Sequence, residues 1–459
     1  MTASGIAAAV QDGSASASEV TRAALDRIER YNPSLNAFTS VTAERAITRA
    51  QALDQARAVG TPLGPLAGVP FAVKNLIDIA GLPTRAGSRI NRTRPPAAVD
   101  ATLVARLEAA GAVLLGALNM GEYAYDFTGE NSHDGPSRNP HDPMRMTGGS
   151  SGGSGGAVAG GLVPLALGSD TNGSIRVPAS FCGLFGLKPT FGRLSRAGSF
   201  PFVASLDHLG PLARGVADLA LAYDAMQGPD PLDPACAQRA CEPALPTLQH
   251  GAGGLRIALA GGYFQDGASP EALQAVARVT AALGVTQTIE LPESARARSA
   301  AYVITTTEGA ALHLTRLRTR AEEFDPDVRD RLIAGALLPA PFAVQAQKFR
   351  RWYRDAVLHC FADIDAIIAP ATPSIAPLIG QKTLVLDGVE MPLRPNIGIY
   401  TQPISFIGLP VVVVPVSTGT LPIGVQVIAP PWREDIALRV ASDLERRGIA
   451  EAQRPSAMA

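Results

Sequence analysis

Val20, Ala24 and Ile28 recur every fourth residue with Leu25 beside them, so the segment after Ser16 is expected to be a helix with one apolar face. Ser16 and Glu19 have the spacing of a capping box at its start. Asn32-Pro33 is expected to end it, because the residue before a proline is pushed out of the helical region. A second helix is expected from Thr42 to about Ala58, which makes roughly residues 1–60 a helical N-terminal segment. The pattern then changes. Val69-Pro70-Phe71-Ala72-Val73-Lys74 is a short apolar strand that delivers a lysine at its end. A helix carrying Leu103, Val104 and Leu107 follows, with Asp100 as its expected N-cap and Gly111 as its stop, and Ala112-Val113-Leu114-Leu115 then reads as a buried strand. This strand–helix–strand rhythm predicts an α/β fold: a large, mostly parallel mixed sheet covered on both faces by helices.

Further along, residues 145–156 (RMTGGSSGGSGG) read as a glycine- and serine-rich loop, followed by a small helix and a strand at Leu162–Leu167. The stretch from Met146 to Ser169 carries no charge, yet its first half is too poor in apolar side chains for a membrane span. Residues 228–254 are rich in Pro and Gly and read as a surface excursion, because apolar strand-like runs resume at 364–369 and 411–416.

Composition narrows the function classes. The chain is 46% hydrophobic, ample for a large core, and its 40 basic and 41 acidic residues leave a net charge of −1. No basic field or block favours nucleic acid or an anionic membrane. The four cysteines form no C-x-x-C pair and no two histidines stand at i, i+4, so no metal site is signalled. Few cysteines in a long chain and no basic-then-apolar leader lead to a cytoplasmic expectation.

Three segments carry candidate chemistry: GVPFAVKN around Lys74, GGSSGGSGG around Ser150, and GSDTNGSIRVPASFCG around Ser174. Singly, each has a plain structural reading: a solvated lysine at a strand end, a flexible loop, a helix cap. Gly149-x-Ser151-x-Gly153 and the overlapping pattern around Ser154 mimic a nucleophile elbow, but Arg145-Met146-Thr147-Gly148 is not expected to be the strand that an elbow needs. The loop also lacks the G-K-[ST] ending of a phosphate-binding loop.

Together the three segments resemble the amidase signature family. Ser150 and Ser174 stand 24 residues apart, as in that family, and Phe185-Gly186-Leu187-Lys188-Pro189-Thr190, Asp365-Ala366-Ile367-Ile368-Ala369-Pro370, Pro410 and Gly424-Val425-Gln426 match it too. Likeness over nearly the whole chain implies one domain, residues 1–459. It implies a Ser–cis-Ser–Lys triad: Ser174 the nucleophile, Ser150 the bridge that follows a cis peptide after Gly149, and Lys74 the base, with no metal or cofactor. A serine hydroxyl is a weak nucleophile until a base takes its proton, and lysine serves only when neutral. Moving its pKa from about 10.4 to about 7 takes roughly 4.6 kcal/mol of destabilisation of the charged form, which burial supplies. Phe71, Val73, Leu76 and Ile77 surround Lys74 in sequence, and Asn75 adds no charge to oppose neutralisation.

Ser151 is expected to hold the lysine end. The oxyanion hole is expected from the N–H groups of Thr171, Asn172, Gly173 and Ser174, with Asn172 accepting the positive φ that glycine takes in relatives. Asp170 and Arg176 are expected to pair and brace the turn. The six histidines are expected to be structural. A narrower likeness, carried by LGSDTNGSIRVPAS, ENSHDGPSRNPHDP, KPTFGRLSR and YDAMQGPDPLDP, is to the branch of the family that works in cyanuric acid and s-triazine degradation. It implies deamination of 1-carboxybiuret to urea-1,3-dicarboxylate, and an oligomer with a small helical partner subunit similar to that of the tRNA amidotransferase complex. Arginine suits a carboxylated urea derivative. Arg318 and Arg320, with His313 nearby, are candidates for it, against a solvated helix face; Tyr125, Tyr123 and Tyr400 are pocket candidates, against a core role. Two other readings stay open at this point: another small-amide hydrolase or the glutaminase subunit of a tRNA amidotransferase, and a non-catalytic scaffold subunit that keeps the fold.

Overall fold

The computed structural model describes residues 1–419 and 421–455. Eleven strands form one sheet: β1 (Phe38–Val41), β2 (Pro70–Lys74), β3 (Val113–Leu118), β4 (Leu165–Asp170), β5 (Phe185–Lys188), β6 (His208–Ala213), β7 (Ile257–Ala260), β8 (Gln287–Ile289), β9 (Ala366–Pro370), β10 (Val411–Ser417) and β11 (Pro422–Ile428). Their spatial order is β1-β3-β2-β4-β6-β5-β10-β11-β9-β7-β8. β2, β3 and β4 are buried along their whole length. Strands covered on both faces read as unbroken apolar runs rather than alternating ones, which is the pattern that marked them in the sequence.

The sheet is mixed, as expected, and helices cover it. Parallel pairing is less extensive than expected: it is confined to β3-β2-β4 on one flank and β9-β7-β8 on the other, and the other neighbours run antiparallel. The reason lies in the connections. β10 and β11 follow each other closely in the chain and pair along their length from Val411↔Ile428 to Ser417↔Pro422, an arrangement that only antiparallel strands allow.

The capping box at Ser16 and Glu19 forms, but the helix it opens runs Ala17–Leu35 and holds Pro33 in its last turn. It ends instead at Asn36, whose φ of 50° breaks the helix, while Asn32 Oδ1 accepts the N–H groups of Ala37 (2.9 Å) and Phe38 (2.7 Å). Asp100 caps nothing: the helix Thr102–Ala109 starts after Ala101, and the Asp100 carboxylate is taken by Arg45 (2.9 and 2.6 Å) and the Ala80 N–H (2.8 Å). The glycine-rich stretch is shorter as a loop than expected. Asp142–Met146 is a strand in a small hairpin with Arg138–Asn139, and a helix begins at Gly152. That helix packs so closely on the sheet edge that a Cβ at Gly153 would lie 2.5 Å from both Ala37 O and Asn119 N. Residues 228–254 are irregular apart from one turn of 3-10 helix at Leu245–His250, and they are tied down where Asp233 meets Arg196 (3.0 Å) and Asp230 accepts the Thr102 hydroxyl (2.7 Å).

Candidate active site

β2, β3 and β4 point the same way and end together at Lys74, Leu118 and Asp170. The carboxyl edge of parallel strands is where open α/β sheets gather their chemistry. Lys74 lies there with no exposure at all. Its Nζ is 2.6 Å from Ser150 Oγ, 3.0 Å from Ser151 Oγ and 2.9 Å from Ser169 Oγ. Three hydroxyls match the three positions of an amine nitrogen: two N–H donors and one lone pair when it is neutral. Burial pushes the Lys74 pKa down to about 7, against the pull of the Asp170, Asp207 and Asp126 carboxylates. The neutral amine is therefore abundant at ordinary pH.

The Gly149–Ser150 peptide is cis. Ser151 is placed as expected, and its Oγ also bonds the Ser169 backbone, accepting the N–H and donating to the carbonyl, each at 3.2 Å. Ser169 was missed in the sequence. The signal was there: alternation along β4 sets it on the opposite face from Asp170, and a serine inside a fully buried strand needs a partner.

β4 turns into the helix Arg176–Phe181 through Thr171, Asn172, Gly173 and Ser174. Positive φ falls at Gly173 (145°) and not at Asn172, which corrects the expectation for the turn. A Cβ on Gly173 would collide with Thr401 Oγ1, so the conformation and the contact both require glycine. Thr401 Oγ1 donates to Asn172 O (2.7 Å), pinning the peptide. Among the described residues the N–H groups of Asn172, Gly173 and Ser174 find no protein acceptor, which leaves them for a ligand oxygen. Ser174 Oγ likewise has no protein partner, so only the Lys74–Ser150 half of the expected relay is formed in this conformation.

Arg176 donates to both oxygens of Asp170 through Nε and Nη2 (2.9 and 3.0 Å), and neither residue is exposed. Burial works to raise the Asp170 carboxyl; the Arg176 guanidinium outweighs it and holds the group below the usual carboxylate range. Arg176 also donates to Thr401 O (3.1 Å) and Gln426 Oε1 (2.8 Å), linking the turn to β11. Arg176→Met would strand a buried carboxylate. We expect it to lower the unfolding free energy by about 3–5 kcal/mol, measured by urea titration.

Ser174 opens on a cavity of about 360 Å³. Thr171, Asn172, Tyr125, Arg331 and Arg394 line it with Ser174. Tyr125 is thus where it was expected. Arg318, Arg320 and His313 are not: Arg318 is exposed, Arg320 pairs with Glu323 at 2.6 Å, and His313 is buried against Tyr123 (ring centroids 4.1 Å apart) and Phe324. Tyr123 and Tyr400 are core residues, the latter with its hydroxyl on Asp266 O (2.6 Å). The helix Ser294–Thr319 meets the cavity through Tyr302 and Thr305, several turns before Arg318. No histidine lines the cavity.

The two cavity arginines were missed, and they differ. Arg394 is saturated by Asp126 (2.9 Å), Glu130 (3.1 Å) and Asp327 (3.1 Å). Arg331 sits on the helix Pro326–Ala336, 3.8 Å over the Tyr125 ring, and donates only to the carbonyls of Asp327 and Tyr125. It has no carboxylate partner among the described residues.

A sequence model of the family described as Amidase matches residues 19–438. The chain is 55% identical over 444 residues to AtzE, the 1-carboxybiuret hydrolase subunit of Pseudomonas sp. (strain ADP), covering 96% of this chain and 97% of that one. It is 38% identical over 481 residues to a glutamyl-tRNA(Gln) amidotransferase subunit of Chromohalobacter salexigens, covering 98% and 97%. A solved structure described as a vestigial protein complex revealing the evolutionary origins of an s-triazine catabolic enzyme superposes with a TM-score of 0.98 at 54% identity, over 99% of this chain and 100% of that one.

Proposed function

The chain belongs to the amidase signature family and is an amidohydrolase, and from that premise we propose that it deaminates 1-carboxybiuret to urea-1,3-dicarboxylate through an acyl-enzyme on Ser174. The observation that carries the substrate is one cavity joining the Ser174 hydroxyl to Arg331, a guanidinium with no carboxylate of its own. A linear substrate with a scissile amide at one end and a carboxylate at the other fits between them. The similarity to the 1-carboxybiuret hydrolase of Pseudomonas supports the same choice.

In this reading Ser174 Oγ attacks the terminal amide carbon as its proton passes to Ser150, which gives its own to neutral Lys74. The oxyanion rests in the N–H groups of Thr171, Asn172, Gly173 and Ser174. The C–N bond breaks, ammonia leaves with the proton returned through Ser150, and water then attacks the ester carbon to release the acid and restore Ser174. The Ser150–Ser174 contact closes when substrate is bound; catalytic hydrogen bonds commonly tighten at that stage. Ser151 and Ser169 orient the amine, and the Asp170–Arg176 pair braces the turn.

Ammonia release from 1-carboxybiuret, biuret, glutamine and malonamate tests the substrate. Turnover of glutamine alone would replace this reading with the glutaminase of a tRNA amidotransferase, and no turnover of any amide would favour the scaffold. Arg331→Met is expected to raise KM for 1-carboxybiuret about 10- to 100-fold, the loss of one charged hydrogen-bonded contact. Biuret lacks the carboxylate, so its kinetics should stay within about threefold. The reading also treats residues 1–459 as one domain, supported by the single large sheet and one continuous apolar core among the described residues. It takes a small helical partner subunit, in keeping with the neighbour solved as a protein complex and the relatives named as subunits. It places the enzyme in the cytoplasm; among the described residues no helix is long and apolar enough to cross a membrane.

A further inference from the structure

We infer that Asn172 is a specificity-determining residue: its side-chain carbonyl accepts the N–H that flanks the scissile carbonyl of a ureido substrate, so the cavity selects ureido amides over acyl amides. This rests on the function proposed above and narrows its substrate class.

Asn172 stands in the turn that carries the nucleophile, and Asn172, Thr305 and Ser174 all line the same cavity. Its side chain is fixed from one end. Nδ2 donates to Thr305 Oγ1 at 2.9 Å, tying the turn to the helix Ser294–Thr319. The amide is planar, so anchoring Nδ2 also sets the direction of Oδ1. That oxygen is buried, in a residue only 7% exposed, and has no hydrogen-bond partner among the described residues. Nearly every buried amide oxygen finds a donor. Asn172 lines the substrate cavity, and a donor on a bound substrate would supply the partner that this oxygen lacks.

Apart from the Ser174 hydroxyl, the other polar side chains at the turn are engaged. Thr171 Oγ1 donates to Asp207 at 2.6 Å, and Thr401 Oγ1 donates to the Asn172 backbone carbonyl. The unengaged acceptor beside Ser174 is therefore Asn172 Oδ1. In a ureido amide the atom next to the scissile carbonyl is N–H and can meet it. In an acyl amide that atom is CH2, which leaves Oδ1 unsatisfied and dehydrated. A site built around a substrate N–H discriminates against the analogue lacking it far more strongly than a site that merely has space.

Glutaramate is the matched probe. It has the chain length, the terminal carboxylate and the terminal amide of 1-carboxybiuret, with CH2 in place of each internal N–H and of the central carbonyl. The test compares kcat/KM for both compounds in the parent enzyme, Asn172→Gly and Asn172→Ala, with thermal unfolding of each protein recorded. Two variants are used so that one misfolding protein does not decide the matter. We expect the loss on 1-carboxybiuret to exceed that on glutaramate by about 10- to 100-fold, so that the ratio collapses. Equal losses on both compounds would make Asn172 a brace of the turn and overturn the inference, as would no loss on either. Failure of the parent to hydrolyse 1-carboxybiuret would remove the proposed function itself, and that is visible before any variant is made.

Discussion

Ser174→Ala will release no ammonia from 1-carboxybiuret above background, a loss of at least about 10⁴-fold, while unfolding in urea at the parent's midpoint. The two halves of this result have separate physical grounds. Ser174 Oγ makes no hydrogen bond to the protein and faces the cavity, so deleting it breaks no structural contact and leaves no buried group unpaired. The turn is held from elsewhere, by Thr401 on Asn172 O and by Arg176 on Asp170. Yet no neighbouring group can take over the attack: Ser150 Oγ is committed to Lys74 at 2.6 Å. Mass spectrometry of the parent with a slow substrate should find the acyl group on Ser174. An acyl group on Ser150 or Ser151 would reassign the nucleophile.

Lys74→Met is expected to cost about 10³- to 10⁴-fold in kcat, the scale of a lost general base, and the parent's pH profile should identify the same group. Burial holds the Lys74 pKa at about 7, and the neutral form is the active one. kcat/KM should therefore fall tenfold per unit below about pH 7 and level off above it. A plateau reaching down to pH 5 would exclude Lys74 as the base. Stability follows the same sign. The folded-state pKa lies below that of the unfolded chain, so the unfolded state binds more protons between about pH 7 and 10. This lysine's contribution to the unfolding free energy thus rises with pH through that window and is least favourable below it. Lys188, also fully buried and also lowered to about 7 by burial, acts in the same direction.

The contrast between Lys74 and Arg331 marks how far the sequence carries. The proposed triad stood out in the sequence because each member sits in a short segment whose residue types are dictated by local geometry: an apolar strand that ends in an amine, glycines where chain meets chain, a turn that must take positive φ. The substrate wall did not. Arg318 and Arg320 carry the right charge on an expected helix, but that helix reaches the cavity through Tyr302 and Thr305, and the arginine that lines the cavity with Ser174 comes from the helix Pro326–Ala336. Which face of a helix meets a cavity depends on packing against distant elements, and charge alone does not reveal it. Asp100 failed for a related reason: its carboxylate had better use in pairing with Arg45 than in capping the helix beside it. Pro33 misled because a proline in a last helical turn removes one N–H without breaking the turn, and the real stop was the left-handed Asn36.

The residues proposed to do the chemistry all fall between Lys74 and Ser174, whereas Thr305, Arg331 and Arg394, which complete the cavity, fall beyond residue 300. Reactivity is thus inherited on one stretch of the chain, and recognition is shared between that stretch, through Asn172, and the later one, through Arg331. A lineage can change what the far end of the substrate carries by mutation in the later stretch alone, with the nucleophile, base and oxyanion turn passed on intact. Evolution of new nitrogen sources then becomes a matter of remodelling a wall, with the reaction already in place.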